Sequence, residues 1–134
     1  MTSLNRQHLE RAVRVLQAGG VIAYPSEGVW GLGCDPFNAG AVARTLRLKG
    51  RSPGKGLILV AGDVAQVRAL LGRVPVSQRA ELLGSWPGPV SWVVPASSAC
   101  LPLLTGGRPT IAVRVTAHPG AARLCRGLGM ALVS

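Results

Sequence analysis

The chain has 134 residues, 48% hydrophobic and 15% charged, a balance that suits one folded domain with a sizeable core and excludes an intrinsically disordered protein. Fifteen basic residues against five acidic ones give a formal net charge of +10, so polyanions such as nucleotides or RNA are the expected partners. Cys34, Cys100 and Cys125 form no CxxC pair, His8 and His118 are far apart, and no stretch reads as a signal peptide or membrane span; disulfide frameworks, metal clusters and membrane insertion are not indicated, and a cytoplasmic setting is expected.

Leu4, Leu9, Val13 and Leu16, with Ala12, make an apolar stripe at helical spacing, closed by Gly19-Gly20. Val21 to Tyr24 reads as a short buried strand stopped by Pro25, followed by a glycine-rich segment from Ser26 to Pro36. Asn38 can cap a helix running to about Lys49, with Val42 and Leu46 inward. The continuous apolar run Leu57–Ala61 predicts a strand covered on both faces. Asp63 is placed to cap a helix carrying Val64, Val67, Leu70 and Leu71, and a second helix is expected over Ser77–Leu83.

Trp86-Pro87-Gly88-Pro89 predicts a turn before a strand over Val90–Val94, and Thr105-Gly106-Gly107 a second turn. Thr110–Val115 alternates as a strand, with Thr110, Ala112 and Arg114 on one side. A helix from about Pro119 to Arg126 and a strand from Met130 to Val133 complete the chain. Alternating helices and strands predict a single domain over residues 1–134, a three-layer α/β arrangement around a twisted sheet. The chain stops one residue after an apolar run that reads as a core strand, so the expectation is a domain incomplete at its C-terminus.

Thirteen arginines stand against two lysines, and both lysines fall in the seven residues from Lys49 to Lys55. A lysine ammonium is a compact point charge suited to a phosphate oxygen, and the glycines and proline around it permit close approach of backbone to ligand. The alternative is a solvated basic turn. Ser26-Glu27 follows the end of a strand directly, where ligands gather in α/β sheets, although a capped turn would look the same. Arg114, between Val113 and Val115, needs an anionic partner, and with five acids in the chain a ligand is a credible one. Gly31-x-Gly33 lacks the third glycine of a dinucleotide fingerprint, and Gly106-Gly107-Arg108 is not followed by the lysine of a Walker loop. No nucleophile–base constellation is present; His118 before Pro119 reads as a helix-entry residue and Cys34 as a small buried side chain.

Tyr24-Pro25-Ser26-Glu27-Gly28-Val29-Trp30-Gly31-Leu32-Gly33-Cys34-Asp35 resembles the opening motif of the YrdC-type threonylcarbamoyl-AMP synthases, the bacterial TsaC branch above all. Lys49-Gly50-Arg51 resembles the Lys-x-Arg signature of that family, and Lys55–Leu59, Trp86–Val90, Leu104–Gly106, Thr110–Val115 with His118-Pro119, and Ala131–Ser134 follow in register. The resemblance implies a YrdC/RibB-like twisted mixed sheet flanked by helices. It implies the condensation of L-threonine, bicarbonate and ATP into threonylcarbamoyl-adenylate with release of pyrophosphate, for threonylcarbamoyladenosine in tRNA. Magnesium would accompany ATP, and downstream tRNA threonylcarbamoyl transferase proteins would take the product.

On the matching positions, Lys49, Arg51 and Lys55 would hold the triphosphate, with Lys49 and Arg51 stabilising developing charge. Thr110 would bind the nucleotide, Ser26 and Arg114 threonine, and Ser134 the carbamate. The family usually has threonine at the position of Ser26, and it continues Val-Ser into a Ser-x-Asn element that would follow Ser134. The competing reading is a non-catalytic module for double-stranded RNA or tRNA; a third is a carbamoyl-transfer domain of a larger maturation protein.

Overall fold

The computed structural model describes residues 5–26, 30–68 and 74–134. Its elements are α1 (Arg6–Gln17), β1 (Ile22–Pro25), β2 (Trp30–Gly33), α2 (Ala39–Lys49), β3 (Ile58–Ala61), α3 (Val76–Gly84), β4 (Trp92–Pro95), α4 (Pro102–Thr105), β5 (Thr110–Val115), α5 (Pro119–Leu128) and β6 (Leu132–Val133). Single turns of 3-10 helix occupy Pro53–Lys55 and Val64–Val67.

Local chemistry sets the helix starts. The side chain of Asn5 accepts the amide of His8 at 2.8 Å and that of Asn38 the amide of Ala41 at 3.0 Å, each satisfying an orphan donor of a first turn. His118 does the same for α5, its Nδ1 accepting from the Ala121 amide at 3.3 Å, which is the helix-entry role expected for it.

Four strands form a mixed sheet in the order β4-β5-β3-β6. β3 runs parallel to β5, while β4 is antiparallel to β5 and β6 to β3. The β1–β2 hairpin is a separate antiparallel pair, tied to the end of the sheet by Val133 N–H to the Cys34 carbonyl at 3.0 Å and the Tyr24 hydroxyl to the Val133 carbonyl at 3.2 Å. Strand alternation divides the core. Leu59, Ala61, Val94, Ile111, Val113 and Val133 face one way and pack with Val42 and Leu46 of α2 and Leu104 of α4. On the opposite side Leu132 packs with Leu16 of α1, Tyr24 of β1, and Ala121, Leu124 and Cys125 of α5. Helices therefore cover both faces, and the three-layer α/β expectation holds.

Several details depart from the sequence reading, among them β6, which starts at Leu132 rather than Met130, and β1, which includes Pro25. Trp30–Gly33 is a strand, not part of a glycine-rich loop: paired to β1, its Gly33 makes room for the Tyr24 ring. The stretch after Asp63 is a 3-10 turn over Val64–Val67, capped by Asp63 through the Gln66 amide at 3.1 Å. Leu70 and Leu71, like Leu4 and Glu27, lie outside the described residues. β4 starts at Trp92, two residues late, and the Val90 carbonyl accepts from the Trp86 indole at 2.8 Å. Thr105-Gly106-Gly107 closes a helical turn, α4, with Gly106 as its left-handed cap at φ 67°.

A Cβ on Gly33 would collide with the Tyr24 ring and stand 2.9 Å from the Val133 carbonyl oxygen. Gly33→Ala is expected to cost about 2 kcal/mol of unfolding free energy by overpacking. It should be read as a lower denaturant midpoint at an unchanged slope.

Candidate functional site

Two groups of side chains lie along the face of the sheet that carries Thr110, Ala112 and Arg114. All three are partly exposed, in alternation with buried Ile111, Val113 and Val115, as the strand pattern required. At about 3.3 Å per residue, Thr110 and Arg114 stand roughly 13 Å apart along β5.

The first group lines a cleft of about 300 Å³ at the Thr110 end. Arg51, Lys55, Arg108 and Thr110 supply its polar wall; Ile58, Val93 and Ala112 supply its apolar floor. The loop between α2 and β3 is built to hold its cations in place. Gly50 ends α2 in the left-handed conformation, φ 63°, turning the chain into the loop. Arg51 Nε donates to the Gly56 carbonyl at 2.7 Å and Nη2 to that of Lys55 at 3.5 Å, which leaves the rest of the guanidinium's five donors for a ligand. Gly56 and Gly106 press the loop against the end of α4. A Cβ on Gly56 would lie 2.6 Å from the Leu104 carbonyl oxygen, and one on Gly106 2.5 Å from that of Gly54.

Lys49 is not part of the cleft wall. It sits beside Arg51 and Cys34, where loss of solvent first and the neighbouring guanidinium second hold its ammonium below the usual lysine range. Burial pushes the Cys34 thiol up, as suits a buried structural cysteine.

The second group surrounds Tyr24 at the Arg114 end. Burial drives the Tyr24 phenol up to about 12, against a hydrogen bond from Ser134 and the nearby Arg114 charge. The Ser134 amide donates to the Ile58 carbonyl at 2.8 Å, so the residue that anchors this end is bonded to one lining the cleft. Arg114 Nε is buried with no hydrogen-bond partner. A buried orphan donor on a cation is costly, and an anion delivered by a ligand would satisfy it. Ser26 is buried immediately after β1.

The sequence candidates thus fall into two places: Arg51, Lys55 and Thr110 in the cleft with Lys49 at its margin, and Arg114 and Ser134 around Tyr24, with Ser26 at the end of the same hairpin strand. Sequence reasoning missed two residues. Tyr24 was legible as a core strand residue and as the first residue of the opening motif but was given no role at the site, and Arg108 was legible only as part of a loop that failed the Walker pattern. Arg108 Nη1 reaches the Lys55 carbonyl at 3.4 Å across 53 residues of sequence.

Among the described residues no countercharge lies at the site. Glu10 pairs with Arg6 at 3.2 Å, and Asp35 and Asp63 each accept a backbone amide of their own turn. Among the described residues no carboxylate lines the cleft, and none of them form a group of three metal-ligating side chains. No helix among them is long and apolar enough to cross a membrane.

The site is thus an α/β sheet face that carries a cationic cleft, with no acid among its described lining residues, and a buried arginine Nε without a hydrogen-bond partner. The family model Sua5_yciO_yrdC, described as telomere recombination, matches residues 14–134. A Thiobacillus denitrificans protein named threonylcarbamoyl-AMP synthase is 59% identical over 119 residues, which cover 89% of this chain and 63% of the relative. A Halorhodospira halophila protein of the same name is 53% identical over 126 residues, covering 94% and 66%. The solved structure of Pyrococcus abyssi Sua5 complexed with L-threonine superposes with a TM-score of 0.91 at 29% identity, over 98% of this chain and 39% of that one. The chain belongs to the Sua5/YciO/YrdC family, and it spans just under two thirds of the length of those two bacterial relatives.

The lowered Lys49 value carries a stability consequence. The unfolded chain binds that proton more tightly than the folded one, so the cost is fully present below the lowered value and is relieved as pH rises through it. Lys49→Met should leave the protein as stable or more stable by about 0.5 kcal/mol or less, measured at pH 7 by denaturant unfolding.

Proposed function

We propose that this chain forms L-threonylcarbamoyl-adenylate from L-threonine, bicarbonate and ATP, the activity named for its bacterial relatives. The observation that carries this reading is the pairing of a cationic cleft, with no acid among its described lining residues, and the unpartnered Arg114 Nε farther along the same strand face. Anionic groups at both ends of one extended ligand answer both.

The threonine amine and bicarbonate give a carbamate with loss of water. A carbamate oxygen attacks the α-phosphorus of ATP, and the bond to the bridging oxygen breaks with release of pyrophosphate. Displacement of this kind depends on alignment and charge neutralisation more than on a protein nucleophile, consistent with a cleft lined by cations and apolar residues. Lys49, Arg51 and Lys55 take the triphosphate and the charge that develops on it. Thr110 contacts the nucleotide, Arg114 the threonine carboxylate, Ser26 the threonine itself and Ser134 the carbamate end. Tyr24 positions Ser134 through their hydrogen bond. Magnesium would accompany ATP and neutralise phosphate charge, and no carboxylate among the described lining residues would bind it directly. The product passes to the transferase proteins that modify tRNA, in the cytoplasm.

Pyrophosphate release by this chain is expected to require ATP, L-threonine and bicarbonate together; release that ignores threonine would overturn the reading. Arg114→Ala should raise the threonine concentration needed for half-maximal rate by about tenfold or more, the loss of one charge-assisted pair. It should leave the ATP requirement nearly unchanged; an equal effect on both would reassign Arg114.

A further inference from the structure

Two guanidinia meet at one backbone oxygen. Arg51 Nη2 lies 3.5 Å and Arg108 Nη1 3.4 Å from the carbonyl of Lys55, whose own ammonium lines the same cleft. A neutral carbonyl neutralises neither guanidinium, and no carboxylate among the described residues lines the cleft to do so. Two like charges brought to one oxygen repel at every salt concentration that leaves them unscreened. The arrangement is retained by backbone: Leu57 N–H to the Leu104 carbonyl at 2.9 Å and the contact of Gly54–Gly56 with Gly106 fix both loops regardless of the charges. Arg108 follows directly on the Gly106-Gly107 turn, whose left-handed backbone aims the chain back over the lysine loop.

We infer that Arg108 is a third phosphate-binding residue, which closes with Arg51 and Lys55 a clamp for linked phosphates. This inference rests on the proposed nucleotide site and deepens it: the ligand class is an oligophosphate, and the grip grows with the number of phosphates. A single phosphate can satisfy the fork of one arginine. A chain of two or three reaches both guanidinia and the ammonium, and Arg108 engages only with the longer ligand. In the proposed reaction it contacts the phosphates that depart as pyrophosphate and discriminates ATP from AMP. Its side chain is exposed, so its removal does not open the core.

Calorimetric titration of the full chain with inorganic tripolyphosphate and, separately, with AMP tests this at fixed salt. Arg108→Ala should weaken tripolyphosphate binding about tenfold, the scale of one charge-assisted contact, and change AMP binding less than about twofold. Arg108→Lys, which keeps the charge and loses the fork, should fall between. Arg79→Ala, on α3, controls for the loss of net charge and should match the wild type. Equal tripolyphosphate affinity in wild type and Arg108→Ala, or an equal loss in Arg79→Ala, overturns the role of Arg108 while leaving the cleft reading intact. No tripolyphosphate binding by the wild type overturns both.

Discussion

The site depends on a contact that contains no functional side chain. The Leu57 amide bonds the Leu104 carbonyl at 2.9 Å, and around that bond the backbone of Gly54–Gly56 lies directly against that of Thr105–Gly106. Both Gly56 and Gly106 have positive φ, at 66° and 67°, and neither has room for a Cβ. This closeness brings a loop that follows α2 over the strand that follows α4, and so joins Arg51 and Lys55 to Arg108 and Thr110. Side chains of larger residues at either glycine would separate the two walls before any charge was altered.

Positive charge is concentrated here at a cost that the fold does not relieve internally. Lys49 is desolvated beside Arg51, two guanidinia share one carbonyl, and Arg114 carries a buried unbonded Nε. Elsewhere the polar groups are well matched: the Trp86 and Trp92 indoles, Gln66 and Thr45 all have partners. Unmatched cations gathered around one cleft and the strand beside it fit a ligand site, where selection favours interactions completed only on binding. The same reasoning separates Cys34 and Cys125 from the chemistry, because burial pushes both thiols up and away from the reactive thiolate.

Much of this was legible in the sequence wherever a short-range rule governed. Asn38, His118 and the alternation of Thr110–Val115 acted as read, because caps and strand periodicity are decided within a few residues. The lysine loop was readable from composition, and the unpartnered Nε of Arg114 matches a charge placed inside an apolar run. What stayed hidden depended on long-range contact. Trp30-Gly31-Leu32-Gly33 has the composition of a loop and becomes a strand only by pairing with β1. The Tyr24 hydroxyl finds its acceptor 109 residues away, and Arg108 joins Lys55 across 53. The helical turn at Pro102–Thr105 is too short for any periodicity to announce it.

Trp30 gives the molecule an optical handle. It is 71% exposed and pairs in register with Pro25, one residue before Ser26, whereas Trp86 is 7% exposed and both Trp86 and Trp92 have bonded indoles. Emission from Trp86 and Trp92 reports the fixed interior and should stay constant while the domain remains folded. Emission from Trp30 reports the polarity and crowding at the mouth of the hairpin. Changes at the proposed threonine end are therefore spectrally separable from changes at the phosphate end, whose cleft lining contains no aromatic residue at all.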